Sequence, residues 1–212
     1  MSDDDHIRVD TRLAGQVRRY HTWPIVKEQS IAEHCWQLLR IYLSVVDKPD
    51  PYFIYHITFH DIGEHFTGDI PYPVKSENDT LKAQMDFLEH KSYCTQLEFW
   101  GAFRQALLTD ADKVLFKQIE LIEMAEFGLD QMCLGNHHGE PIANRCLRAV
   151  YENNPSARLV KYVIRRLILF DRQYPFELPE EVGQWWSIQG WEAIDEQSER
   201  ESDWRQSLQD SI

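Results

Sequence analysis

Three residues of this 212-residue chain stand out for chemistry: His34 and the adjacent pair His60 and Asp61. Imidazole and carboxylate together form the ligand set of a borderline divalent ion such as Zn, Mn, Co, Ni or Fe. A His-Asp dipeptide says little by itself, because both residue types are frequent enough here to meet by chance. Its surroundings give it weight. His34 lies near the start of an otherwise apolar segment, where an imidazole without a partner would be costly, so it must be hydrogen-bonded or metal-bound. Gly63 lets the chain turn just after the pair, which can bring Glu64 and Asp69 back toward the same point. Beyond the turn Pro71-Tyr72-Pro73, Lys75 offers a lone cation suited to an anionic substrate. A metal clip gains most by tying separate elements together, which makes Glu120, between Ile119 and Leu121, a candidate fourth ligand, with Glu123 one turn on as its support. Each residue also has a plainer reading: a satisfied core histidine for His34, and solvated surface charges for Lys75, Glu120 and Glu123.

The elements that must position these groups are helices. Long stretches carry helical spacing, strand signals are nearly absent, and Pro and Gly punctuate the segment ends, which together predict an all-α domain. Ser30-Ile31-Ala32-Glu33 is a capping box opening a helix over 30–46. That helix is apolar almost all round, the pattern of a helix buried on most sides, and is expected at the centre of the domain. Asp50 can cap a second helix with Pro51 in its first turn; it ends near Gly63 and carries His56 and His60 one turn apart. Further helices are predicted over 79–99, over 110–134 stopped by Gly135-Asn136, over 142–151, and over 156–172 capped by Asn154. The expected organisation is one domain over 1–175 and an acidic extension over 176–212 that packs on the domain or on a neighbouring subunit.

Composition narrows the function. With 43% hydrophobic residues the chain can fill a core, and a net charge of -13 disfavours nucleic acid as a partner. Residues 176–212 hold ten acidic and two basic residues and four of the seven tryptophans, so the rest of the chain is closer to neutral and can carry a basic pocket. The four cysteines are scattered like reduced thiols, and Cys133, His137, His138 and Cys146 match no zinc spacing. No secretory or membrane-spanning pattern is visible, so a cytoplasmic protein is expected.

Arg19-Tyr20, Glu33-His34, and the run His60-Asp61-Ile62-Gly63-Glu64-His65-Phe66-Thr67-Gly68-Asp69-Ile70-Pro71-Tyr72-Pro73-Val74-Lys75 resemble the HD-domain metal-dependent phosphohydrolases. The closer likeness is to the subgroup of bacterial 5′-deoxynucleotidases and phage-type dATP triphosphohydrolases, over roughly residues 18–136. The resemblance implies an HD-domain helical bundle and a divalent cofactor (Co, Mn, Zn, Ni, Fe or Mg). It implies metal ligation by His34, His60 and Asp61, and catalytic roles in proton transfer or water positioning for Glu64 and Asp69. Arg19 falls on the family's phosphate-binding arginine, and Lys75 on a lysine that holds the phosphate chain in the triphosphohydrolase branch. Lys117-Gln118-Ile119-Glu120 aligns with a K-Q-A-D pattern, so the last ligand would be Glu120, one methylene longer than the family's aspartate.

Tyr20 stands where relatives often carry tryptophan. With Trp23, Ile25 and Pro73 it is expected to line the sugar and base pocket. The implied activity is removal of phosphate or triphosphate from deoxyribonucleotides by a homo-oligomer, in the host cytoplasm if phage-encoded, with no nucleic acid or membrane partner. The competing expectation is a nucleotide-binding protein of the same fold in which Glu120 has weakened catalysis.

Overall fold

The computed structural model describes residues 11–70, 78–99 and 108–173. Lys75, Pro73 and the acidic extension over 176–212 therefore lie outside the described residues. The chain divides into two compact units, residues 1–123 and 124–212.

The first unit opens with a single helical turn, α1 (Thr11–Ala14), and a short antiparallel ribbon of β1 (Arg18–Arg19) and β2 (Gln29–Ser30). Its register sets Arg18 opposite Ser30 and Arg19 opposite Gln29. The ribbon delivers the chain straight into α2 (Ile31–Val45), for which Ser30 is the cap. The capping box is complete: the Ser30 hydroxyl oxygen accepts from Glu33 N at 3.2 Å, and Ser30 N donates to the Glu33 carboxylate at 2.8 Å. The bond from Ser30 N, with a second from Ser30 Oγ to the same carboxylate at 3.1 Å, favours the ionised Glu33 and lowers its pKa. Two further first-turn N–H groups, of Ile31 and Ala32, donate to the carbonyls of Val17 and Gly15. All the amides at this helix start are thus spoken for, and the turn carrying His34 is fixed.

Burial corrects the expectation for α2. Ile31, His34, Leu38, Ile41, Tyr42 and Val45 form one buried stripe, while Trp36 (63% exposed) and Leu43 (49%) lie on the opposite face. The helix is amphipathic in place although its composition is apolar nearly throughout.

α3 (Pro51–Phe59) starts as expected, with Asp50 accepting from Tyr52 N and Pro51 in the first turn. Phe53 stacks on Tyr42 of α2, with ring centroids 4.4 Å apart. The helix stops at Phe59, short of Gly63, and after a turn the chain forms α4 (Glu64–Thr67) where the sequence suggested only a loop. Gly63 has φ -63°, ordinary helical backbone. Its lack of a side chain answers a different need from the sharp turn expected of it. A Cβ there would stand 2.6 Å from Glu89 Cα on α5 (Asp79–Phe99), so glycine is what lets the turn after His60-Asp61 lie against that helix.

α6 (Asp110–Cys133) runs across the division between the units. In the second unit its end is closed as expected by Gly135, at φ +81°, with Asn136 N bonded back to the Gln131 carbonyl. α7 (Gly139–Glu152) and α8 (Ala157–Gln173) are strongly amphipathic, burying Ile142, Ala143, Cys146, Leu147 and Val150 from one and Leu159, Val163, Ile164 and Leu167 from the other. Glu126 accepts from Tyr162 Oη at 2.8 Å and Arg166 Nε at 2.7 Å. The start of α8 differs from expectation: Ser156 Oγ accepts from Leu159 N, while Asn154, at φ +47°, closes the preceding turn. No described helix is long and apolar enough to cross a membrane.

Gly63→Ala isolates the close approach from backbone effects. At φ -63° alanine should stabilise by up to about 1 kcal/mol, but the clash with Glu89 backbone should cost about 1–3 kcal/mol and win. The expected outcome is a lowered midpoint in urea unfolding; an unchanged or raised midpoint would show that α5 does not press on this turn.

Candidate metal centre

The centre is built where α2, the end of α3 and α6 converge within the first unit. His34 is 1% exposed. Its Nε2 stands 3.6 Å from Asp61 Oδ2, and His60 Nε2 stands 3.2 Å from the same oxygen. Among the described residues, His34, His60 and Asp61 form a group whose ligand atoms lie within 4.8 Å of one another.

The other nitrogen of each ring is already engaged. His34 Nδ1 is 2.8 Å from Glu123 Oε2, and His60 Nδ1 is 3.0 Å from the Ile57 carbonyl oxygen. A carboxylate or carbonyl can only accept, so both Nδ1 atoms carry a proton, and in the neutral imidazoles both Nε2 atoms present a lone pair. These Nε2 atoms are buried and lack a hydrogen-bond partner. Two buried imidazole lone pairs facing one carboxylate are costly unless something positive sits among them. A divalent ion meets that need, and the donor set suits Zn, Mn, Co, Ni or Fe.

Electrostatics favour positive charge at the same point. Burial pushes the Asp61 pKa up, but His60, His34 and Arg19 outweigh it and hold the carboxyl well below its usual range. Burial lowers the His60 pKa, yet Asp61 above all, with Glu120 and the Ile57 carbonyl, raises it on balance. His56 lies one turn before His60, at the end of α3. Its ring lies 5.9 Å from that of His60, its Nδ1 is 3.3 Å from Tyr93 Oη, and burial, then His60, lowers its pKa to about 4. Phe116 closes the same side, 4.5 Å from the His56 ring and 4.9 Å from that of His60.

Arg19 reaches the centre from the ribbon. Its Nη1 donates to Gln29 Oε1 at 3.2 Å and lies 3.5 Å from Glu123 Oε2. Burial opposes its charge, but Tyr20, Glu123, Asp61 and Glu64 overcome this and keep it firmly protonated. Next to it Tyr20 adopts φ +59°, a left-handed conformation that a non-glycine residue holds only when constrained. The constraint is Asp69, whose Oδ2 accepts from Tyr20 N at 2.9 Å. Asp69 therefore shapes the chain beside Arg19. Glu64 is buried on the first turn of α4, and Ile25 is half-buried, while Trp23 is 42% exposed.

Glu120 is not in the three-residue group. It pairs with Lys117 at 3.2 Å and acts on His60 through its charge. Glu123, which the sequence offered only as a supporting carboxylate, is 1% exposed and contacts His34, Gln29 and Arg19. Burial raises its pKa, but His34, Arg19 and Gln29 lower it further, so it is ionised. Gln29 had no signal in the sequence beyond its place just before the capping box.

Residues 11–125, more than half the chain, match the family described as YfbR-like 5′-deoxynucleotidases. The chain belongs to this HD-domain family. It is accordingly a metal-dependent phosphohydrolase of helical fold. No curated protein matches it.

An ion bound here stabilises the folded state by its free concentration relative to its dissociation constant, about 2.7 kcal/mol at a hundredfold excess. Stripping the protein with a chelator should lower its melting temperature, and Co or Mn should restore it. His34→Ala and His60→Ala should melt alike with and without ion; a full metal-induced shift in either variant would place the ion elsewhere.

Proposed function

We propose that this chain is a 5′-deoxynucleotidase that removes the phosphate from deoxyribonucleoside monophosphates, with His34, His60, Asp61 and Glu120 holding the ion. The observation that carries the reading is the pair of buried Nε2 atoms turned on one ionised carboxylate, within electrostatic reach of Arg19. Such an ion supplies Lewis acidity, making water a competent nucleophile at neutral pH and polarising a phosphate oxygen.

The chain's own groups do the rest. Arg19, desolvated but permanently charged, binds the phosphate oxygens and neutralises charge that shifts onto them as the bond to the 5′ oxygen breaks. Glu64, buried three residues after Asp61, takes the proton from the attacking water and returns one to the departing 5′ oxygen. Asp69 positions: it fixes the Tyr20 backbone, and with it the wall that Tyr20, Trp23 and Ile25 present to sugar and base. Lys75 and Pro73, which the family likeness assigns to the substrate, lie outside the described residues. Release of an intact triphosphate from dATP would draw chiefly on Lys75, and the family likeness favours the monophosphate.

The test is incubation with each deoxynucleoside mono- and triphosphate, with Co or Mn supplied, and chromatography of the products. Inorganic phosphate and free deoxynucleoside from the monophosphates are expected, with Arg19→Ala slower by about 10²–10³-fold. Intact triphosphate as product would identify the other branch, and tight nucleotide binding without turnover a binding protein.

A further inference from the structure

We infer that Glu123 is a positioning residue whose single carboxylate couples the metal ligand His34 to the anion-binding Arg19; this rests on the function proposed above. Three donors converge on its two oxygens. Oε2 accepts from His34 Nδ1 at 2.8 Å and lies 3.5 Å from Arg19 Nη1, while Oε1 accepts from Gln29 Nε2 at 2.6 Å. Gln29 closes the loop, because its Oε1 accepts from Arg19 Nη1 at 3.2 Å. The amide of Gln29 is thereby fixed in one orientation, donating to Glu123 and accepting from Arg19.

The arrangement does two jobs at once. An acceptor at Nδ1 forces the His34 proton onto that atom and leaves Nε2 as a ligand, the role that partners of metal-binding histidines usually fill. The same carboxylate, with Gln29, holds the Arg19 guanidinium from behind. Ribbon, α2 and α6 meet at this one side chain, which is 1% exposed. Glu120 and Glu123 sit one turn apart on α6, so they share a face of the helix. Glu120 acts on His60, and Glu123 on His34.

Glu123→Gln tests the coupling with little change of shape. An amide offers one acceptor where three donors arrive, so an N–H must face another donor. Nitrogen-15 spectra of the metal-free protein should show His34 as the Nδ1–H tautomer in the wild type and shifted toward Nε2–H in the variant. Cobalt affinity, read by calorimetry without substrate, should fall about 10–100-fold. At saturating cobalt, kcat for a deoxynucleoside monophosphate should recover while KM stays raised, because Arg19 has lost its anchor. Glu123→Asp, which keeps a carboxylate, should restore part of both.

Equal tautomer and equal cobalt affinity in wild type and Glu123→Gln would overturn the positioning role alone, leaving the nucleotidase reading intact. A wild-type protein that takes up no ion would overturn both. If Glu123→Gln does not fold, the wild-type spectrum still decides, since an Nε2–H tautomer at His34 contradicts the inference.

Discussion

Two imidazoles are each held at Nδ1 by an acceptor, so that both Nε2 lone pairs point at one carboxylate in the interior. The rest of the first unit can be understood as the means of keeping that arrangement in place. A buried lone pair costs free energy when nothing meets it, and two of them around an ionised Asp61 define a place for a cation. The capping box fixes the turn that carries His34, and glycine at position 63 lets the turn after Asp61 lie against α5. The Phe116 ring covers His56 and His60 together, which keeps that flank apolar.

The anion-binding side depends on the same core. Arg19 reaches the centre only because the ribbon register sets it opposite Gln29, and Gln29 directly precedes the cap of α2. One short pairing therefore places a phosphate-binding group and a metal ligand in fixed relation. Asp69 adds a second constraint by holding Tyr20 in a backbone conformation that it would not otherwise favour. Positive charge at Arg19 is balanced locally by Glu123, Asp61 and Glu64, so the pocket gathers charge of both signs while the chain as a whole is acidic.

Much of this was legible in the sequence, and what was not has physical causes. The helix starts were readable because caps are local: Ser30 with Glu33, and Asp50 with Tyr52 N, satisfy amides within a few residues of themselves, and Pro51 has no N–H to satisfy. The grouping of His34 with His60 and Asp61 followed from residue chemistry and was sharpened by a motif. Residue type alone could not separate Glu120 from Glu123, because both are carboxylates on one helix face and only the packing of α6 on α2 tells which meets His34. Gln29 was invisible for a similar reason, since an amide gains meaning from its partners. The exposed side of α2 was misread because apolar composition does not reveal which face finds a neighbour, and Gly63 because a glycine needed for close approach looks the same as one needed for a turn.

The most direct measurement is the position of the ion itself. Crystals grown with manganese, with data collected to maximise its anomalous scattering, would locate it without reference to activity. A single strong peak within bonding distance of His34 Nε2, His60 Nε2 and an Asp61 oxygen is the result this account predicts. A peak at any other cluster, or imidazoles that turn their Nδ1 atoms to the metal, would contradict it.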